Sequence, residues 1–145
     1  MLDGLAALGD GILLALQPNN LMWALWGCLL GNLVGVLPGI GSAGAIALLL
    51  PATAALSPTA AIIMLAAIFY GSNYGGTITT VLLNIPGEAA SAIAAIDGVP
   101  MAQQGRAGAA LGIAAIGSFI GGTAATFALA LAAPALAQEI GRAHV

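Results

Sequence analysis

The chain is written in long apolar blocks separated by short clusters of Gly, Pro, Ser and Asn. Residues 11–87 contain no Asp, Glu, Lys or Arg, a run long enough for more than one membrane crossing at about 20 residues each. Before it, Leu2, Leu5, Ile12, Leu13 and Leu16 fall roughly on one helical face, with Asp3 and Asp10 away from it. That pattern predicts a short interfacial helix. "QPNN" at residues 17–20 ends it and starts the next element. A first span is predicted over residues 21–37, with Trp23 and Trp26 near its beginning, where Trp favours the membrane interface. Gly27, Gly31 and Gly35 recur along it as a flat stripe on which another helix can pack.

Three interruptions follow. The first is Pro38-Gly39-Ile40-Gly41-Ser42, then "AGAIALLL", too short to cross a bilayer upright and predicted to end at Pro51. Pro58 suits the first turn of a helix, and residues 59–70 are a clean but short helical run. The second interruption is "GSNYGG", residues 71–76. "TITTVLLN" is apolar again, and "IPGEAAS", residues 85–91, is the third. A more polar segment with Glu88, Asp97, Gln103 and Gln104 leads to Arg106. A last span is predicted over about residues 107–136, with Gly108/Gly112 and Gly117/Gly121 as small-xxx-small pairs. The expected fold is an all-α integral membrane protein, with full spans at either end and Gly/Pro-broken, discontinuous or re-entrant half-helices between them.

Composition strengthens this reading. Of 145 residues, 61% are hydrophobic and only 5% charged, against roughly 25% charged in soluble domains. So few charges cannot cover a water-soluble surface. Gly contributes 21 residues, about twice the usual roughly 7%, which predicts close helix packing. The opening "MLDGLAALGDG" lacks the basic n-region of a secretory signal, so none is expected. Cys28 stands alone in an apolar run and reads as a buried structural thiol. "EIGRAHV", residues 139–145, resembles an in-frame translation of a sequencing adaptor. It is expected to be a non-native tail, the alternative being a genuine polar one; a non-native tail removes His144 and Arg142 from the chemistry and leaves Arg106 as the one trusted basic residue.

The breaks carry the candidate chemistry. Non-helical backbone at membrane depth survives only when buried in protein or lining a wet cavity. The start of a half-helix leaves N–H groups free and carries partial positive charge, an anion site made without a cation. Secondary transporters hold carboxylates and coupling ions at such discontinuous helices. Here Gly39 and Gly41 would let a ligand approach the backbone beside Pro38, and Ser42 offers a hydroxyl. Ser72, Asn73, Tyr74 and Thr77 supply polar groups among Gly71, Gly75 and Gly76. Gly87 exposes amides after Pro86, and Ser91 is placed to cap them. Ordinary interhelical turns would show the same breaks. Glu88 is expected to complement the dipole of the helix it begins or to serve as a coupling-ion ligand or proton carrier. Asp97, before Gly98, is a second coupling-ion candidate or a turn residue. No metal, cofactor or nucleic-acid partner is expected.

The stretches "GVLPGIGSAGAIALLLPAT" and "AAIFYGSNYGGTITTVLLNIPGEAASAIAAIDGVPMAQQGRAGAALGIAAIGSFIGGT" resemble the large membrane subunit of tripartite tricarboxylate transporters, over nearly all of residues 21–138. The resemblance implies a multi-pass subunit of the bacterial inner membrane. It would work with a small membrane subunit and a periplasmic solute-binding protein to import tri- or dicarboxylates such as citrate on an ion gradient, Na+ or H+. It places the motifs Pro38 to Gly41, Tyr74 to Gly76 and Pro86 to Glu88 along the substrate path. Thr77 stands where the family usually has Ser, Ala94 where it has Thr, Val99 where an aromatic is common and Gln103 where Lys is common. Family members are several times longer, so residues 1–138 are expected to be the N-terminal part of a polytopic transporter domain. Two other readings stay open: a non-transporting scaffold or assembly subunit, and a channel, since breaks also form filters. An intramembrane enzyme is disfavoured, because no motif pairs Ser with a base.

Overall fold

A computed structural model describes the backbone of residues 2–142 and the side chains of residues 8–132. Six α-helices and one 3-10 turn account for it, with no strand among the described residues. They are α1 (Leu2–Ala15), α2 (Pro18–Gly35), α3 (Gly41–Thr53), α4 (Pro58–Leu83), a 3-10 turn (Ala90–Ile93), α5 (Ala94–Gln103) and α6 (Ala107–Arg142). Local chemistry sets most of the boundaries. Pro18 and Pro58 open α2 and α4, where the missing N–H costs nothing. Ser57 caps α4 by accepting from the Ala60 N–H at 3.4 Å. Asn84, left-handed at φ 57°, closes it. After α5, Gly105 (φ 74°) allows the Arg106 and Gly105 N–H groups to donate to the carbonyls of Met101 (2.8 Å) and Ala102 (2.9 Å). This paired return is a Schellman cap, and it turns the chain directly into α6.

The core is the packing of α2 on α4. Cβ atoms built at Gly27, Gly31 and Gly35 would strike the carbonyl oxygens of Met64, Ile68 and Ser72 in turn. Gly71 and Gly75 of α4 press in the same way on Cys28 and Asn32 of α2. Both series rise together along the two helices, so α2 and α4 run parallel and α3 is the return between them. Ala45, Met64 and Ile68 form the buried cluster, surrounded by Trp23, Leu30, Val34, Ile46 and Leu49.

The second interruption expected from sequence does not exist. Residues 71–76 are helical, and α4 is one uninterrupted helix of 26 residues. Its glycines serve backbone approach to α2, which needs no departure from helical dihedrals. A helix of spanning length therefore lies in the middle of the chain, correcting the expectation of such helices only at the two ends. Pro51 also fails to end its helix: α3 continues to Thr53, giving up the one backbone hydrogen bond that the missing N–H would have made. Asp97 sits in the first turn of α5 and is not a turn residue.

α4 and residues Ala107–Ala132 of α6 are long and apolar enough to cross a membrane. α2 is not among these candidate spans; Asn19, Asn20 and Asn32 lie among its 18 residues. The distribution of side chains is that of a membrane protein. Ser72, Thr79 and Thr80 are buried while Ile113, Phe119 and Ile120 of α6 are exposed, Phe119 by 75%, the inverse of a water-soluble surface. The buried hydroxyls are all bonded, Ser72 to the Phe69 carbonyl at 2.9 Å and Thr79 to that of Gly76 at 2.9 Å. On α1, Ile12 and Leu13 are exposed, as is Asp10; the side chains of Leu2 and Leu5 lie outside the described residues. His144 also lies outside the described residues, as do the side chains of residues 139–145.

Candidate functional site

The first and third breaks meet. Residues 36–40 leave the helix between α2 and α3, with Gly39 at φ 92° and Gly41 at φ 67°, conformations that favour glycine. Residues 84–89 leave it after α4. A Cβ at Gly87 would lie 2.5 Å from the Gly76 Cα and 3.2 Å from the Gly35 carbonyl oxygen. Glycine at 87 is what allows that segment to lie against α4 and the end of α2. There the Ser42 N–H, in the first turn of α3, donates to the Glu88 carboxylate. Glu88 therefore caps a helix remote in sequence, and not the one it precedes.

Ser91 fixes the backbone of this corner. Its hydroxyl accepts from the Glu88 N–H at 3.2 Å and donates to the Glu88 carbonyl at 2.8 Å. Thr80 Oγ1 lies 3.0 Å from Ser91 Oγ and 2.8 Å from the Gly76 carbonyl. Both side chains are buried. Ser91→Ala leaves the Glu88 N–H without its acceptor and is expected to cost about 1–3 kcal/mol. The measurable outcome is a lower thermal unfolding midpoint for the complete protein in detergent.

On the other side of Ser91 a cleft of ≈ 340 Å³ opens between α4, the 3-10 turn and α6. Phe69, Tyr70, Asn73, Tyr74, Thr77, Ala90, Ser91 and Ser118 line it. Asn73 Nδ2 donates to the Phe69 carbonyl at 2.8 Å and Thr77 Oγ1 to that of Asn73 at 3.1 Å. The Tyr74 hydroxyl donates to the Leu111 carbonyl at 3.2 Å and so ties α4 to α6. Among the described residues no Lys, Arg or His lines the cleft; its polar groups are hydroxyls and one amide. A larger apolar cavity of ≈ 550 Å³ adjoins it and shares Tyr70, Tyr74 and Ser118. Cys28 lines that cavity and is exposed, correcting the expectation of a buried thiol. The glycine stripe of α2 takes the α4 contact and leaves the neighbouring Cys28 side chain on the open face.

The residues singled out from sequence thus separate into two groups. Asn73, Tyr74, Thr77 and Ser91 share the cleft. Gly41, Ser42, Gly76, Gly87 and Glu88 meet at the junction of the breaks, and Pro38, Gly39 and Pro86 flank it, exposed. Gly75 is spent on the α2 contact, and Asp97 is exposed on α5, joined to neither group. Tyr70 and Ser118 were not anticipated. Tyr70, Asn73, Tyr74 and Thr77 follow helical spacing, one stripe of α4, a signal visible only once residues 71–76 are read as helix. Ser118 comes from α6 and carries no local signal.

The Tripartite tricarboxylate transporter TctA family matches residues 21–143. An Agrobacterium vitis protein described as an uncharacterized 52.8 kDa protein in the TAR-I ttuC' 3' region is 54% identical over 138 residues, which are 95% of this chain and 28% of that protein. The chain therefore spans less than a third of that relative's length. No solved structure matches the chain.

Proposed function

The chain belongs to the Tripartite tricarboxylate transporter TctA family, and from that premise we propose that it forms part of the membrane subunit of a binding-protein-dependent secondary transporter. Membership implies transport rather than catalysis. The proposed substrate is a tri- or dicarboxylate of the citrate type, delivered by a periplasmic solute-binding protein and imported across the bacterial inner membrane by a multi-pass assembly that includes a small membrane subunit. The observation that carries the reading is the cleft between α4, the 3-10 turn and α6, where Tyr70, Asn73, Tyr74, Thr77, Ser91 and Ser118 converge without a basic residue among the described ones. A carboxylate there would be held by hydroxyl and amide donors, each charge-assisted hydrogen bond contributing about 1.5–3 kcal/mol. Such a site binds an anion and still releases it, which a buried ion pair resists.

Transport on a gradient also needs a group that senses the coupling ion, Na+ or H+. Of the two carboxylates considered, Glu88 adjoins the cleft through Ser91, whereas Asp97 is exposed on α5. Glu88 is accordingly assigned that role. The test is uptake of labelled citrate and other di- and tricarboxylates by the complete transporter with its partner subunits in sealed vesicles. Accumulation under an imposed Na+ or H+ gradient is expected. Absence of uptake of every such acid under either gradient would remove the reading.

A further inference from the structure

Within the α2–α3–α4 core, α2 and α4 each open on a proline, but α3 has no such start. It also has no acidic residue in its first turn and no side-chain cap from its own N-cap residue, Ile40. The free amide of Ser42 instead finds the Glu88 carboxylate, 46 residues away. Gly41 turns the chain into α3 at φ 67°, a left-handed conformation that favours glycine, and even a Cβ there would meet Glu88 Oε1 at an ordinary 3.5 Å. At its other end, the backbone of Glu88 is held on both sides by the Ser91 hydroxyl, and Ser91 lines the cleft. One residue thus joins the start of a helix of 13 residues to the wall of the candidate substrate site.

We infer that Glu88 is a positioning residue that ties the start of α3 to the segment following α4, and that the charge on its carboxylate decides whether the tie holds. An ionised carboxylate is attracted by the positive end of the α3 dipole and accepts the Ser42 N–H as a charge-assisted bond. A protonated one keeps only a neutral hydrogen bond. No second charge on the elements packed around it softens that change. α3 carries no titratable group, α2 only Cys28, α4 only Tyr70 and Tyr74, and the 3-10 turn none; α5 carries Asp97, which is exposed. Protonation therefore loosens the N-terminal end of α3 and with it the break at Pro38 and Gly39. The tie deepens the assignment of Glu88 as coupling group and rests on it, but its test is read without substrate.

The experiment uses the complete transporter in a background free of reactive native cysteines, Cys28→Ser included. Ser42→Cys keeps the backbone N–H and reports through maleimide labelling. The rate is measured with Glu88 and with Glu88→Gln at a series of pH values. Each rate, here and below, is first divided by that protein's own thiolate fraction, followed by thiolate absorbance, because the Glu88 charge acts on the introduced thiol as well as on the tie; the two are then compared as a ratio at each pH. Glu88→Gln is expected to label about tenfold faster at high pH, the size of a charge at a helix N-terminus, with the ratio falling to one as acid neutralises Glu88. A ratio of one throughout, or a constant ratio at all pH, would overturn the inference. If Glu88→Gln does not accumulate, the labelling rate of the Ser42→Cys protein is divided by that of a Leu13→Cys protein, both retaining Glu88. Leu13 is exposed on α1 and supplies the reference thiol. That quotient must rise on acidification, and a flat quotient has the same overturning force. Failure of carboxylate uptake would remove the proposed substrate while leaving the labelling result standing.

Discussion

Replacement of Gly31 or Gly35 by valine is expected to abolish accumulation of the complete protein in the membrane. A Cβ at Gly31 would fall 2.7 Å from the Ile68 Cα, and one at Gly35 2.5 Å from the Ser72 Cα, each with a carbonyl oxygen closer still. The obstacles are backbone atoms of α4, so no rotamer change relieves the contact. The helices must separate, which strips the α2–α4 interface of the close approach that holds helices together in lipid. Overpacking commonly costs about 1–3 kcal/mol; a displaced helix pair costs more, out of a total stability of about 5–15 kcal/mol. Membrane abundance and the thermal midpoint in detergent report the loss. Normal levels of the Gly31→Val protein would show that α2 and α4 do not pack through these glycines.

The second large effect concerns the cleft. Asn73→Leu combined with Thr77→Val is expected to lower carboxylate uptake about 100-fold or more, at unchanged abundance. Each substitution removes a donor while keeping the approximate volume, and each charge-assisted hydrogen bond is worth about 1.5–3 kcal/mol. In the structure the Thr77 hydroxyl donates to the Asn73 carbonyl; it must turn from there to the carboxylate. Thr77→Ser keeps the hydroxyl and is expected to retain most of the uptake, which separates lost donation from lost packing. Tyr70→Phe tests the residue that sequence reasoning missed, and one lost hydroxyl predicts a smaller drop of about tenfold.

Two of the three breaks were legible because each carries a Pro-Gly pair, Pro38-Gly39 and Pro86-Gly87, whereas Pro51 and Pro100, without a following glycine, lie inside α3 and α5. Pro38 and Pro86 stop a helix by chemistry that is local in the chain. The apolar blocks and the paucity of charge likewise pointed to an all-α membrane fold without any tertiary information. Glycine on its own is more ambiguous still. Gly39, Gly41 and Gly105 adopt positive φ, whereas Gly71, Gly75 and Gly76 are helical and sit against neighbouring backbone. Both uses are open to a residue without a Cβ, and only the packing partner decides between them. Misjudging that one stretch divided α4 and hid the stripe from Tyr70 to Thr77. The Glu88–Ser42 contact was illegible for a different reason. Its partners are 46 residues apart, and only the meeting of Gly35, Gly76 and Gly87 brings the two breaks together.

Everything proposed about transport depends on the cleft between α4 and α6 holding a carboxylate. Equilibrium binding of labelled citrate to the purified complete transporter, compared with the Asn73→Leu/Thr77→Val protein at matched thermal stability, tests this most directly. Saturable binding that the double substitution weakens by about 100-fold, and that Thr77→Ser alone largely preserves, is the predicted result. Equal affinity in the two proteins would contradict it and move the substrate path away from this cleft.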